Sequence, residues 1–166
     1  MIGKAMQAAL NEQVNAEFYS AYLYLAISGW CEQENLPGHG AWMRKQAREE
    51  LEHGMRFYGH ITDRDGAVTL TAVDKPPATF KSPLDIWEKA LAHERSITAR
   101  IHALCELAAK EKDHAALEML QWFVREQVEE EKTANGFLEQ VKLLNGRGPA
   151  LFFLDRHLGK AAGEKE

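Results

Sequence analysis

The distribution of proline constrains the fold of this chain most strongly, because proline interrupts a helix by removing a backbone donor and crowding the preceding turn. The prolines lie only between or at the ends of long blocks rich in helix-forming residues, at Pro37, Pro76, Pro77, Pro83 and Pro149. These blocks predict four helices, over about residues 4–34, 38–65, 83–112 and 114–145. Ser82 followed by Pro83 is a typical helix start.

The connections between the predicted helices differ in length, and this difference predicts their arrangement. Residues 66–82 form a long connection between the second and third helices, whereas the other two connections are short. At ~3.3 Å per extended residue, the long connection can run beside a helix of about 28 residues, or ~42 Å. The sequence therefore predicts an all-α four-helix bundle with one long crossover. Residues 68–73, VTLTAV, could form a strand, but without a partner we interpret them as extended chain.

The end of the chain predicts a fifth, short helix. The stretch NGRGP, Asn145 to Pro149, combines residues that typically stop a helix. The apolar stretch that begins with Pro149 predicts a short C-terminal helix over about residues 149–158 and a flexible tail over about residues 159–166. Because the chain has 166 residues, we expect a single domain over residues 1–166.

Composition and charge narrow the classes of function. The formal net charge of −5 disfavours a nucleic-acid partner, and no apolar run is long enough to span a membrane. The N-terminal residues have no secretion-signal pattern. Cys31 and Cys105 are far apart in sequence and predict reduced core thiols, so we expect a cytoplasmic protein.

Each predicted helix has an apolar stripe that a polar residue interrupts near its middle. The interrupting residues, one per helix, are Glu17, Glu50, Glu94 and Gln127. Helices packed side by side bring their centres to one level whether they run parallel or antiparallel. The sequence therefore predicts that these polar side chains meet inside the bundle. Because burial of several carboxylates is very costly, their convergence indicates a bound cation.

The stretch EELEH, residues 49–53, supports a metal site. Glu50 and His53 are three residues apart and project from one face of the helix. Glu130 lies one turn after Gln127 on the inner face of the fourth helix. A second, outer cation position is predicted where acids flank these residues, at Glu49, Glu126 and Glu129. Carboxylate and imidazole ligands suit iron, manganese or zinc without a sharp choice among them.

These residues resemble those of the bacterial non-haem ferritins. The resemblance extends from the first helix through the short final helix and is carried by Glu17, EELEH, AHERSI with Glu94, and WFVREQVEEE with Gln127. The pair Gln127 and Glu130 replaces a second Glu-x-x-His motif, which resembles ferritins proper rather than bacterioferritins. Glu52 stands where bacterioferritins have a haem-binding methionine, so no haem is expected.

The resemblance implies a role for each site residue. Glu17, Glu50 and His53 would hold a first iron, and Glu50 would bridge to a second iron held by Glu94 and Glu130, with Gln127 nearby. Tyr24 would stand beside the site and assist electron transfer. A third iron site would be formed by Glu49, Glu126, Glu129 and Glu130.

The resemblance also implies the activity and the assembly. Members of this ferritin-like class oxidise Fe(II) with dioxygen or peroxide and store ferric mineral in a hollow homo-oligomer of about 24 copies. We therefore expect an iron-storage protein with ferroxidase activity and two irons per subunit in a di-iron centre, with neither nucleic-acid nor membrane partners. The final helix would line a symmetry channel.

Alternatives remain at the level of the sequence. The acids could face water on an ordinary charged helix surface, and Tyr24 could be a core aromatic residue. The same bundle could instead be a di-iron peroxidase or oxygenase without mineral storage, a non-enzymatic metal buffer, or a helical interaction module. The outer acid cluster, the apolar final helix and the absence of a Cys₄ electron-transfer motif favour storage.

Overall fold

The computed structural model describes residues 1–144 and 148–163, which form an all-helical structure. The helices are α1 (Lys4–Gln33), α2 (Pro37–Thr62), α3 (Pro83–Glu111), α4 (His114–Leu143) and α5 (Pro149–Gly163), and the described ranges contain no strand. The predicted four-helix bundle with a long crossover and a short fifth helix is confirmed. Among these helices, none is long and apolar enough to cross a bilayer.

Side-chain caps define where the third and fourth helices begin. Ser82 Oγ accepts a hydrogen bond from the backbone N–H of Asp85 at 3.2 Å, directly before Pro83. At the start of α4, Asp113 Oδ1 accepts from the N–H of Ala116 at 3.0 Å. Each cap satisfies a backbone donor that has no partner within the first helical turn. The two caps therefore define the first turns of α3 and α4.

The core of the bundle consists of two apolar clusters, one toward each end. One cluster packs the C-terminal half of α1 against the N-terminal half of α3 and includes α5, with members such as Ile27, Met43, Trp87, Val141 and Leu158. The other packs the N-terminal half of α1 against the C-terminal half of α3, with members such as Leu10, Phe57, Ile101, Leu120 and Phe123. The positions between the two clusters on all four helices are those where polar residues interrupt the stripes.

The crossover runs along α1 without regular secondary structure. Asn11 binds the crossover through two hydrogen bonds. Its Nδ2 donates to the Ala67 carbonyl at 3.0 Å, and its Oδ1 accepts from the Thr69 N–H at 2.7 Å. Asn15 Nδ2 donates to the Ala72 carbonyl at 3.1 Å, one turn further along α1. The VTLTAV stretch is therefore extended chain, as predicted, with side-chain amides supplying the hydrogen bonds that a partner strand would supply.

The last helix is longer than the sequence predicts. It continues to Gly163, so residues 159–163 are helical rather than part of a flexible tail that begins at 159. Leu154 and Leu158 are buried against the rest of the bundle, and this packing stabilises a helix that the sequence alone supports weakly. The predicted helix stop at residues 145–147, the end of the fourth helix at 145 and the tail residues 164–166 lie outside the described residues.

Candidate metal centre

A buried polar layer lies between the two apolar clusters. Glu17, Glu50, Glu94 and Gln127 come one from each bundle helix, and each is at most 4% exposed. His53, one turn after Glu50 on α2, is 5% exposed. The structure thus brings the residues that interrupt the stripes to one level inside the bundle, and their side chains face the interior rather than water.

Three members of the layer form a compact ligand cluster. Glu17, Glu50 and His53 each present a ligand atom, and these atoms lie within 4.8 Å of one another. His53 Nδ1 is 3.3 Å from Glu50 Oε2. Glu17 Oε2 and Glu50 Oε1 are fully buried and, as carboxylate oxygens, have no hydrogen-bond partner. Unpartnered buried carboxylate oxygens are costly, so this donor set fits a bound divalent cation.

The second half of the layer is a hydrogen-bonded group around Glu94. The Tyr24 hydroxyl donates to Glu94 Oε1. Gln127 Nε2 lies 3.2 Å from both Glu94 Oε2 and the Glu94 backbone carbonyl, to which it donates. Both carboxylate oxygens of Glu94 therefore accept hydrogen bonds. One donor is Gln127, which the sequence placed on this level, and the other is Tyr24, which the resemblance to bacterial non-haem ferritins placed beside the site.

The acids of the predicted outer position differ in their contacts and in their exposure. Glu130 Oε2 accepts a hydrogen bond from Gln46 Nε2 at 3.0 Å. The negative charges of Glu49 and Glu126 act on Glu130 and contribute to its raised pKa. Glu49 Oε1 also pairs with Lys45 Nζ at 3.5 Å, and Glu129 is exposed. Among the described residues, Glu94 and the outer acids are not part of the compact three-residue cluster.

Burial and mutual repulsion shift the pKa values of the central acids upward. Burial, followed by the negative charges of Glu94, Glu17 and Glu130, raises the pKa of Glu50 well above its usual range. Burial likewise raises the pKa of Glu17 to about 7 and that of Glu130 to about 8. Protons held at these carboxyl groups therefore relieve the repulsion when no cation does so.

The pKa of the His53 imidazole is shifted downward, opposite to the shift of the carboxyl groups. Burial, together with the positive charge of Arg56, lowers the pKa of His53 to about 4. At neutral pH the ring is therefore uncharged and keeps a lone pair for a metal ion. The Trp122 ring packs edge-on against His53, with ring centroids 5.4 Å apart, and Arg56 lies 3.8 Å from the centroid of Trp122.

Sequence reasoning missed two glutamines that contact the predicted ligands. Gln13 Nε2 donates to Glu17 Oε1 at 2.7 Å, and Gln46 donates to Glu130. Gln13 is four residues before Glu17 on one helix face, a spacing that could have indicated this contact. The contact between Gln46 and Glu130 joins different helices, and no sequence signal indicated it.

The fold and the polar layer together define a class of protein: a four-helix bundle with a long crossover that buries a carboxylate and imidazole cluster at mid-length. A family model described as a ferritin-like domain matches residues 7–144. This chain belongs to the ferritin family.

Individual relatives match over nearly the whole chain. A bacterial non-heme ferritin from Bacteroides fragilis is 39% identical over 96% of this chain and 99% of its own length. One from Campylobacter jejuni is 38% identical over 98% of this chain and 97% of its own. The crystal structure of an open pore ferritin from Archaeoglobus fulgidus superposes with a TM-score of 0.95 at 45% identity, covering 96% of this chain and 98% of that one.

Proposed function

We propose that this protein stores iron and has ferroxidase activity, and that Fe(II) as substrate first binds to Glu17, Glu50 and His53. The observation that carries this proposal is the compact buried cluster with two unpartnered carboxylate oxygens. Membership of the ferritin family and similarity to bacterial non-heme ferritins support iron as the metal. A carboxylate-rich site favours the more highly charged Fe(III) product and thereby helps drive the oxidation.

The second iron of the proposed di-iron centre binds to Glu94 and Glu130, with Glu50 shared between the two ions and Gln127 alongside. This assignment is supported by the negative charges of Glu94 and Glu130, which, after burial, help to raise the pKa of Glu50. Dioxygen or peroxide is the proposed oxidant. Tyr24, whose hydroxyl contacts Glu94, is the proposed electron donor beside the site.

A third iron position is proposed at Glu49, Glu126, Glu129 and Glu130. The charges of Glu49 and Glu126 reach Glu130, which supports a shared outer position. Glu129 is exposed and would complete the position from the solvent side. The proposal includes no haem, because Glu52 stands where a haem-binding methionine would be expected.

The stored mineral is proposed to lie inside a hollow homo-oligomer of about 24 copies, a closed symmetric assembly. Phe152 and Phe153 on α5 are 58% and 71% exposed, and apolar side chains of this size are suited to contacts between subunits at the proposed channel. We propose a cytoplasmic location, where Cys31 and Cys105, both free, remain thiols.

Aerobic addition of Fe(II) to the iron-free protein tests the proposal. Storage predicts oxygen uptake that continues for many irons per chain and a large particle in size-exclusion chromatography. Glu50→Ala should abolish the fast phase of oxidation, whereas Glu52→Ala, which changes an exposed acid on the same helix, should leave it intact. Uptake that ends at two irons per chain would favour a peroxidase or oxygenase, and binding without oxidation would favour a metal buffer.

A further inference from the structure

A chain of hydrogen bonds connects the surface of α3 to the ligand cluster through a buried glutamine. Arg100 donates from Nε to Gln13 Oε1 at 3.0 Å and from a terminal nitrogen to the Glu12 backbone carbonyl at 3.1 Å. Gln13 in turn donates from Nε2 to Glu17 Oε1 at 2.7 Å. Arg100 is exposed, whereas Gln13 is 1% exposed and Glu17 is 1% exposed.

The donor and acceptor groups of Arg100, Gln13 and Glu17 determine the direction of these hydrogen bonds. A guanidinium group only donates hydrogen bonds, so the side-chain carbonyl of Gln13 must face Arg100. The amide NH₂ group of Gln13 must therefore face Glu17. The two contacts that Arg100 makes with α1 hold the guanidinium in place across the gap between the helices.

The hydrogen bond from Gln13 restrains the carboxyl group of Glu17. Its Oε1 is occupied by the hydrogen bond from Gln13, whereas its buried Oε2 has no hydrogen-bond partner when the group is a carboxylate. The hydrogen bond from Gln13 thus holds one oxygen of the carboxyl group, and the other oxygen remains available to a metal ion. Groups that orient a metal ligand in this way commonly change metal affinity by about 10–100-fold when they are removed.

We propose that Gln13 is a positioning residue that fixes the Glu17 carboxylate for the first metal ion, and that Arg100 sets the orientation of Gln13. The inference rests on the proposed function only in that a divalent ion binds at Glu17. It assigns to an exposed arginine outside the ligand set an effect on metal affinity that is transmitted through one buried amide.

Titration of the assembled, iron-free protein with Co(II) tests this inference without using iron oxidation. Co(II) reports its ligand geometry in its visible absorption spectrum, and calorimetry gives its affinity. We expect Gln13→Leu to weaken the first Co(II) by about 10-fold or more and to alter its spectrum. Arg100→Met should weaken it by about 3-fold, and Arg100→Lys, which keeps a donor and the charge, should recover part of the loss.

The control variant is Lys110→Met, which removes one positive charge from the exposed surface of the same helix. This variant should leave the Co(II) affinity and the spectrum unchanged. It therefore separates a general effect of surface charge from the effect of the hydrogen bonds that link Arg100, Gln13 and Glu17. A purely structural role for Gln13, in which it only joins α1 to α3, would lower the melting temperature while leaving Co(II) binding as in the wild type.

Unchanged Co(II) affinity and spectrum in Gln13→Leu would overturn the inference, whatever the melting temperature. If Gln13→Leu fails to assemble, the exposed variant Arg100→Met tests the inference instead. A Co(II) affinity equal to that of the wild type in Arg100→Met would then overturn the inference. Failure of the wild type to bind Co(II), or binding that survives Glu50→Ala, would instead contradict the proposed metal centre.

Discussion

Asp155 on α5 binds His39 on α2 through two hydrogen bonds, with the backbone N–H of His39 at 2.8 Å and its imidazole Nδ1 at 2.7 Å from Asp155 Oδ1. The other oxygen of Asp155 accepts from the Gly38 N–H at 3.0 Å. One carboxylate thus caps the first turn of α2, where the helix dipole favours a negative charge. An added Cβ at Gly38 would lie 1.7 Å from the Asp155 carbonyl oxygen, so the close approach of the two helices requires glycine.

Replacement of Asp155 should loosen α5. Asp155→Ala leaves the buried donors at the start of α2 without partners, at a cost of about 2 kcal/mol, which corresponds to roughly 30-fold faster local opening. Amide hydrogen exchange should accelerate in α5 and in the first turn of α2. Asp74→Ala, which changes an exposed acid in the crossover, serves as the control. Exchange in α5 that is unchanged in Asp155→Ala would show that apolar packing alone holds this helix.

Neutralising Glu50 should stabilise the iron-free protein while removing its function. The pKa of Glu50 is raised well above its ordinary value of 4.5, so the folded state holds this proton more tightly than the unfolded chain does. The resulting stabilisation is complete below the unfolded-state pKa and is lost as pH rises through the folded-state pKa. Glu50→Gln avoids this loss. At pH 8 we expect its free energy of unfolding to exceed that of the wild type by about 2 kcal/mol, and this difference should shrink toward pH 5.

Calorimetry of the iron-free protein at pH 5 and pH 8 measures this gain as a difference in melting temperature of about 5 °C at the higher pH. Glu52→Gln removes an exposed acid from the same helix and should change little at either pH. A melting temperature that falls by the same amount at both pH values in Glu50→Gln would mean that lost packing, rather than charge repulsion, dominates.

Metal binding should release protons near neutral pH. In the iron-free protein the pKa of Glu17 is about 7 and that of Glu130 is about 8, so both groups carry protons at pH 6.5 to a large extent. His53, whose pKa is about 4, is already neutral and contributes none. A bound cation displaces the carboxyl protons.

Calorimetric titration with Zn(II) in buffers of different ionisation enthalpy counts the released protons. We expect proton release at pH 6.5 that falls markedly by pH 9, where Glu17 and Glu130 have already ionised. Release that is independent of pH across this interval would place the binding site elsewhere.

Removal of the Tyr24 hydroxyl should slow oxidation more than it weakens binding. Tyr24→Phe leaves Glu94 Oε1 without its donor but keeps the ring in the core, where Tyr24 is 3% exposed. We expect about 10-fold slower Fe(II) oxidation in stopped-flow measurements, with Co(II) affinity changed by less than about 3-fold. Tyr22→Phe, on the exposed face of the same helix, should match the wild type. Equal rates for all three proteins would assign Tyr24 to packing.

Much of the bundle and of its polar layer follows from patterns within single helices. Proline placement indicated where helices are interrupted, and the interruption of each apolar stripe indicated the level at which Glu17, Glu50 and Glu94 would meet. These features are local, since each depends on the spacing of residues along one helix and on the length of one connection. The length of α5 was predicted less well, because the helix continues past the predicted end at residue 158 to Gly163.

Helical periodicity converts position along the chain into direction, so the amino-acid sequence alone predicts which face of a helix a side chain occupies and at what level. The contacts between side chains on different helices became evident only in the folded protein. The bond from Arg100 to Gln13, the bond between Gln46 and Glu130, and the cap that Asp155 places on α2 each join separate helices. A hydrogen bond forms only within a few tenths of an ångström of its best length, whereas helical periodicity places a side chain only to within the reach of its rotamers.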